Sequence, residues 1–154
     1  MMAPPDRAQL EFARKGMVSR IATLSASGRP SITPLYFTVV DGHLWLGTAD
    51  WTLAARDAAA DPRVVVLLQH EKTPGDRRVL RVTGRAVLRT DRDAIWTYNL
   101  RVWLKYSVSP GGLLNNIVNL RLAGLMRQYH QQSADKGSAC VIDITPDHAE
   151  FVEA

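Results

Sequence analysis

Short runs of β-branched and aromatic residues alternate with turn residues along the first half of the chain, a pattern typical of β-strands. Asp41 and Gly42 separate two of these runs and are a strong signal for a two-residue hairpin turn. Pro34 lies within one run and predicts an edge strand or a bulge, because proline cannot donate a backbone hydrogen bond. The predicted strands of this half cover residues 18–26, 31–40, 43–48 and 63–70.

The run at residues 63–70 is apolar almost throughout, as expected of a central strand. Residues 77–90 alternate between polar and apolar positions until Gly84, where the phase changes, and this predicts a β-bulge. Two further short strands are expected at residues 139–144 and 149–153. Six or seven strands in hairpin order predict a mainly β fold, an antiparallel β-barrel with accessory helices.

Helical patterns interrupt the strands. Residues 6–15 form a predicted helix that Asp6 caps, and the alanine-rich residues 51–60 form another that Asp50 or Thr52 caps. A helical insertion is expected at about residues 91–135. Its first helix begins with a capping-box pattern at Thr90 and carries one apolar face, and a second helix follows. The face comprises Ile95, Tyr98 and Val102, and the second helix covers residues 114–129.

The length and net charge of the chain indicate the number of domains and the kinds of partner to expect. A chain of 154 residues is one domain by the usual measure. Its net charge of +4 favours anionic ligands, but the basic residues are spread along the chain without a run, so no nucleic-acid partner is expected. No apolar stretch reaches the length of a transmembrane helix, so no membrane partner is expected. The expected location is the cytoplasm.

The histidines and the single cysteine do not suggest a metal site. His43, His70, His130 and His148 lack companions at metal-ligand spacing, so no metal ion is expected. A haem needs only one axial ligand, which leaves His70 or His130 as candidates. Cys140 lies in a predicted buried strand and is expected to be structural.

The order and spacing of several short motifs resemble those of the pyridoxamine-phosphate-oxidase-like proteins. The resemblance implies an FMN-binding split barrel of antiparallel Greek-key type, working as a homodimer with two cofactor sites at the subunit interface. Members bind flavin mononucleotide (FMN), the deazaflavin coenzyme F-420 or haem. The motifs lie at residues 21–24, 28–30, 34–37, 42–48, 61–64, 82–86 and 142–146.

The function that this resemblance implies is hydride transfer between FMN or coenzyme F-420 and a small organic substrate, in which the cofactor carries the redox chemistry. The resemblance also implies a set of cofactor-binding residues. The ring would lie along β-strand residues, the phosphate would bind near the start of the next helix, and an arginine would come from the partner subunit. These residues are Thr33, Pro34, Leu35 and Tyr36 for the ring, Thr48, Trp51, Thr52 and Arg56 for the phosphate, and Arg78.

The phosphate site departs from the family pattern. Counting back from Pro62 places Thr52 at the family's serine, Leu53 at its arginine and Ala54 at its phosphate-anchoring lysine. Each lost charge-assisted hydrogen bond removes about 1.5–3 kcal/mol of binding energy. An alternative therefore stays open: a non-catalytic split barrel that binds ligands and has lost tight cofactor binding. The helical insertion is either a lid over the cofactor, or a dimer contact or cap on the barrel's open end.

Overall fold

The computed structural model describes residues 3–70, 73–107 and 138–153. This part of the chain contains three helices and seven strands. Their order is α1 (Arg7–Lys15), β1 (Ser19–Leu24), β2 (Pro30–Leu35), β3 (Phe37–Val40), β4 (His43–Ala49), α2 (Leu53–Ala60), β5 (Arg63–Gln69), β6 (Arg78–Arg89), α3 (Arg92–Ser107) and β7 (Ala139–Glu153).

The strands form one antiparallel sheet in the order β2-β1-β5-β6-β7-β4-β3. Strands β2 and β3 lie at opposite ends of this order, although only Tyr36 separates them in the chain. The sheet must therefore curl until its two edges meet at Tyr36, where the N–H of Gly47 donates to the Tyr36 carbonyl (3.2 Å). The expected mainly β, split-barrel fold is confirmed.

The barrel interior is filled by the inward-facing residues of the strands. In β1 and β5, buried and half-buried positions alternate, because successive side chains of a strand point to opposite faces. Burying each large side chain stabilises the fold by about 1.5–3 kcal/mol. The largest fully buried side chains include Ile21, Phe37, Leu44, Leu46, Val66, Leu68, Leu80, Val82, Ile142 and Ile144.

Helices α1 and α2 pack against this core. The predicted N-cap of α1 is confirmed: Asp6 accepts from the N–H of Gln9 (2.8 Å), and the Gln9 side chain accepts from the N–H of Asp6 (2.9 Å). Phe12 of α1 and Ala58 of α2 belong to the core cluster. In α2, Asp57 is buried and accepts a hydrogen bond from Thr23 of β1 (3.1 Å), as a buried carboxylate requires.

The position of the bulge at Gly84 is confirmed, but two strand boundaries differ from the prediction. The predicted strand at residues 31–40 is two strands, because the chain turns at Tyr36 from one sheet edge to the other. The two predicted C-terminal strands are one strand, Ala139–Glu153, which pairs with β6 along its length. The register shifts between Thr83 and Gly84 because Asp147 has no partner, so the extra residue of the bulge lies in β7 and not in β6 as the prediction had it.

Helix α3 covers the outer face of the sheet beside β3, β4 and β7. Its predicted cap at Thr90 was wrong by one residue, because the Asp91 carboxylate accepts from the N–H of Ala94 (3.1 Å). Ala94 and Tyr98 pack with sheet residues in a second apolar cluster. The predicted helix at residues 114–129 lies outside the described residues. None of the described helices is long and apolar enough to span a membrane.

Candidate functional site

The turn into α2 brings together the hydroxyl groups of Thr48 and Thr52, whose oxygens are 2.9 Å apart. Thr52 is the N-cap: its Oγ1 accepts from the N–H of Ala55 (3.3 Å) and donates to the carbonyl of Ala49 (2.9 Å). Because the single proton of Thr52 goes to Ala49, Thr48 is the donor in the Thr48–Thr52 bond. Neither hydroxyl proton is therefore available to a phosphate in this arrangement.

The N–H group of Leu53 at the start of α2 remains available as a donor, because the first amides of a helix have no partner within the helix, whereas Ala54 has no exposed surface. The helix dipole adds a partial positive charge at the same place. Arg56 is exposed one turn further along α2. The Asp50 carboxylate lies just before the helix and accepts from the N–H of Ser138 (3.1 Å), which places one negative charge beside these donors.

The side chains of residues 53 and 54 point to opposite sides of α2. Ala54 has no exposed surface and belongs to the core cluster, whereas Leu53 is 48% exposed. A long side chain at residue 54 would enter the core and would not reach an anion. The proposed equivalence of Ala54 with the family's phosphate-anchoring lysine is therefore wrong for the direction of the side chain. Leu53, on the same exposed side of α2 as Arg56, is the position from which a cation would meet a ligand.

The residues expected to lie along the ring are in β2 and directly after it. Thr33 and Leu35 are half-buried, while Pro34 and Tyr36 are exposed, as expected for an edge strand with one face outward. Among the described strands, β2 pairs only with β1, so its other edge is open. Trp51, 42% exposed, lies just before α2. The prediction that Pro34 lies in an edge strand is confirmed.

Gly47 packs against the ring of Tyr98, a contact that the sequence did not predict. A Cβ at Gly47 would overlap the ring of Tyr98 from α3, so the glycine provides room for this ring and not for a ligand ring. The Tyr98 hydroxyl donates to the Tyr36 carbonyl (3.1 Å), and burial raises the pKa of Tyr98 to about 12. The periodicity of α3 predicted that Tyr98 faces inward, but no local signal links it to residue 47.

Arg78 lies away from the start of α2 within one chain. It pairs with the Asp76 carboxylate through Nε (3.0 Å) and Nη2 (3.1 Å), which lowers the pKa of Asp76 to about 2. Its guanidinium also lies 5.0 Å from the ring centre of Phe12 in α1. An interaction of Arg78 with a cofactor therefore requires the site of a second subunit.

The described histidines have protein partners. Both ring nitrogens of His70 are engaged: Nε2 donates to the carbonyl of Phe12 (2.9 Å), and Nδ1 lies 3.4 Å from Asp76. Its ring also stacks on Phe12 at 3.8 Å, so His70 is not available as a haem ligand. His130 lies outside the described residues. Among the described residues, no group of three or more His, Cys, Asp or Glu can hold a metal ion.

Cys140 is buried in β7, as expected for a structural cysteine. Burial, together with the negative charge of Asp50, raises the pKa of the thiol to about 11. At neutral pH the sulfur is therefore a thiol and a poor nucleophile.

Three side chains of α3 cover the open edge of β3. The hairpin turn at Asp41 and Gly42 leaves the carbonyls of Phe37 and Val39 pointing away from β4. Arg101 donates to the Val39 carbonyl (3.4 Å), and Lys105 donates to the Phe37 carbonyl (3.3 Å). The Tyr106 hydroxyl donates its one proton to the Met17 carbonyl, and its oxygen lies 3.4 Å from the Phe37 carbonyl. This part of the insertion therefore acts as a cap on the barrel edge.

Lys105 carries a perturbed amine. Its Nζ lies 3.5 Å from the ring centre of Phe37, and burial lowers the pKa of Lys105 to about 7. The unfolded chain, with an ordinary lysine pKa of about 10.4, binds more protons than the folded one between these two pH values. Stability is therefore expected to rise with pH across this window.

Replacing Lys105 with methionine tests this expectation. The variant is predicted to gain stability over the wild type near pH 7 and to lose that advantage towards pH ~10, because only the charged amine is penalised by burial. Urea unfolding across the window measures the slope. Lys15→Met, on the exposed side of α1, is the control and should keep the wild-type slope. An unchanged slope in Lys105→Met would contradict the assignment.

Comparison with known proteins identifies the family. The family model for pyridoxamine 5'-phosphate oxidase matches residues 6–153. A search of curated protein sequences found no match.

Solved structures share the fold at low sequence identity. The conserved hypothetical protein Rv2991 from Mycobacterium tuberculosis is 20% identical with a TM-score of 0.71, over 99% of this chain and 86% of that one. An F420 reductase is 16% identical with a TM-score of 0.64, over 95% and 98% of the two chains. The haem storage protein HutZ from Vibrio cholerae is 14% identical with a TM-score of 0.60, over 99% and 95%.

The family match covers α1, all seven described strands and the turn into α2 that carries the candidate site. The likeness to the solved structures supports the same split-barrel architecture. The chain belongs to the pyridoxamine 5'-phosphate oxidase family.

Proposed function

We propose that the protein is an oxidoreductase that uses FMN or coenzyme F-420 to transfer hydride to or from a small organic substrate. The observation that carries this proposal is the start of α2, where the exposed residues Leu53 and Arg56 lie on one side of a helix that contacts the edge strand β2. The chain belongs to a family that includes oxidases, and an F420 reductase is among its structural neighbours.

The phosphate of the cofactor would bind at the start of α2. The N–H group of Leu53 would donate to one of its oxygens, and the Arg56 guanidinium would supply a charged contact. The negative charge of Asp50 opposes the phosphate. We therefore expect affinity below that of a site with the family's arginine and lysine, because each such contact supplies about 1.5–3 kcal/mol.

The ring would lie along β2. The open edge of this strand offers N–H and C=O groups that can bond the polar atoms of a flavin or deazaflavin. Tyr36 is 59% exposed and Trp51 is 42% exposed, and their rings provide apolar surfaces that would exclude water from one side. The bound cofactor would accept or donate the hydride, while the chain would orient it.

A homodimer would complete this site. Ile32 of β2 is 66% exposed and Leu53 of α2 is 48% exposed, beside the exposed Tyr36. Such an apolar surface on both elements of the candidate site favours burial against a second subunit. In that dimer, Arg78 of one subunit would be the arginine that approaches the cofactor of the other.

A second candidate function is a split barrel that binds a ligand without catalysis. It is supported by the engaged hydroxyls of Thr48 and Thr52 and by Leu53 in place of a cation. A haem storage protein is among the structural neighbours. His43 is the described histidine that fits this role best, since its Nδ1 is bonded to Asp143 (2.8 Å) and the ring is 39% exposed.

Equilibrium titration of the purified protein with FMN, coenzyme F-420 and haemin separates these functions. We expect saturable binding of FMN or coenzyme F-420, weakened about tenfold in Arg56→Gln, because one charged contact is lost. Arg7→Gln removes an exposed arginine from α1 and should bind as the wild type does. Binding of haemin alone, lost in His43→Ala, would support the second candidate. Failure of all three ligands to bind would contradict both.

A further inference from the structure

A cavity lies on the surface of the protein, away from the candidate cofactor site. It has a volume of about 300 Å³, opens to solvent and is formed by α1, β3 and α3. This size is at the lower end of the usual range of small-molecule pockets, about 300–1,000 Å³. The described residues that line it are Arg14, Thr38, Val39, Arg101, Leu104 and Lys105.

The cavity concentrates positive charge. Three of its six lining residues are basic, and no described aspartate or glutamate lines it. Arg14 forms no ion pair with another described residue, in contrast to Arg7 on the same helix, which pairs with Glu11 (3.2 Å). Arg101 and Lys105 are held by backbone carbonyls of β3, which accept their hydrogen bonds without neutralising their charge.

Two of the basic side chains are hydrogen-bonded to the sheet before any ligand is present. Arg101 comes from one turn of α3 and Lys105 from the next, so both approach the cavity from the same helix face. Their hydrogen bonds to β3 limit the freedom of both side chains before any ligand arrives, which reduces the entropy lost on binding. Leu104 and Val39 add apolar surface for the carbon skeleton of a ligand.

We propose that this cavity binds a small organic anion, a phosphate ester or a polycarboxylate, through Arg14, Arg101 and Lys105. The site is separate from the start of α2 and does not depend on the proposed cofactor. Cavities lined by one sign of charge concentrate ligands of the opposite sign. Guanidinium groups bind the oxygens of phosphate or carboxylate in pairs, and the lysine supplies a third cation.

The protonation of Lys105 couples the binding of an anion to the uptake of protons. Among the described residues, the groups around its amine are Arg14 of α1, Arg101 and Tyr106 of α3 and the Phe37 ring of β3, and none of these is an anion. Burial lowers the pKa of Lys105 to about 7, so a bound anion would raise that pKa again. Binding is therefore expected to take up protons and to weaken as pH rises above about 7.

Isothermal titration of the full chain with citrate and with inorganic phosphate, at low ionic strength, tests the proposal. We expect one saturable site per chain for at least one of these probes. Arg14→Gln and Lys105→Met should each weaken it about tenfold, because each removes one charged contact. Lys15→Gln removes an exposed charge from the same helix outside the cavity and should bind as the wild type does.

Two further measurements distinguish binding at this cavity from the nonspecific attraction of anions to a basic protein. Heats measured in two buffers of different ionisation enthalpy should show proton uptake in the wild type, and this uptake should be absent in Lys105→Met. Arg14→Gln should leave unchanged the change in ring fluorescence that reports FMN or coenzyme F-420 at the start of α2, since the proposed cofactor site is elsewhere. The proposal is overturned if neither probe saturates, or if Lys15→Gln weakens binding as much as Arg14→Gln.

Discussion

Replacing Gly47 with alanine is expected to destabilise the protein by about 3 kcal/mol, at the upper end of the cost of overpacking. The reason is steric, because a Cβ at residue 47 would overlap the Tyr98 ring. The ring has little room to retreat, since Tyr98 packs against the second apolar cluster and its hydroxyl donates to Tyr36. Chemical unfolding with urea or guanidinium measures the loss.

The double variant Gly47→Ala/Tyr98→Ala is the control for this prediction. Removing the ring should remove the clash, so the two substitutions together should cost less than the sum of the single ones, with a coupling of about 1–3 kcal/mol. Additive effects would show that Tyr98 does not lie on Gly47. Tyr98→Phe keeps the ring and loses only one hydrogen bond, so it should cost about 1 kcal/mol.

Introducing lysine at residue 54 is the second substitution with a large expected effect. Ala54 lies in the core with no exposed surface, so Ala54→Lys would place an amine among apolar side chains without a partner. We expect a loss of about 4 kcal/mol or more, since an unpaired buried charge is among the costliest changes to a core. Thermal or chemical unfolding of the variant checks this directly.

Leu53→Lys is the matched control, one residue earlier on the same helix. Leu53 is 48% exposed within one chain, so a lysine there should cost far less stability than Ala54→Lys. If the start of α2 holds the cofactor phosphate, the added cation should tighten binding of FMN or coenzyme F-420 about tenfold. A stable Ala54→Lys variant with tighter cofactor binding would instead restore the equivalence with the family's lysine.

Features of the fold that depend on neighbouring residues were predictable from the sequence. The capping box of Asp6 and Gln9 closes over three residues, and the hairpin at Asp41 and Gly42 closes over two. Both need only local geometry, so the residue types alone indicate them. The cap of α3 was placed one residue early, because Thr90 and Asp91 are both good N-caps and only the helix phase distinguishes them.

Features that depend on the closed topology were not predictable. The contact of Tyr98 with Gly47 joins residues of α3 and β4 that are far apart in the chain. The orientation of Ala54 depends on how α2 is rotated against the barrel, and a count from Pro62 cannot give that rotation. The same holds for Lys105, whose amine is perturbed only because α3 covers the edge of β3.

We propose that the start of α2 holds the phosphate of a flavin or deazaflavin. The most direct measurement compares the dissociation constant of FMN with that of riboflavin, which carries the same ring without the phosphate, in the wild type and in Arg56→Gln. If coenzyme F-420 is the cofactor, its phosphate-free chromophore takes the place of riboflavin. We expect the phosphate-bearing form to bind at least about tenfold more tightly, and Arg56→Gln to remove most of the difference. Equal affinities in the wild type, or a difference that Arg56→Gln leaves intact, would contradict it.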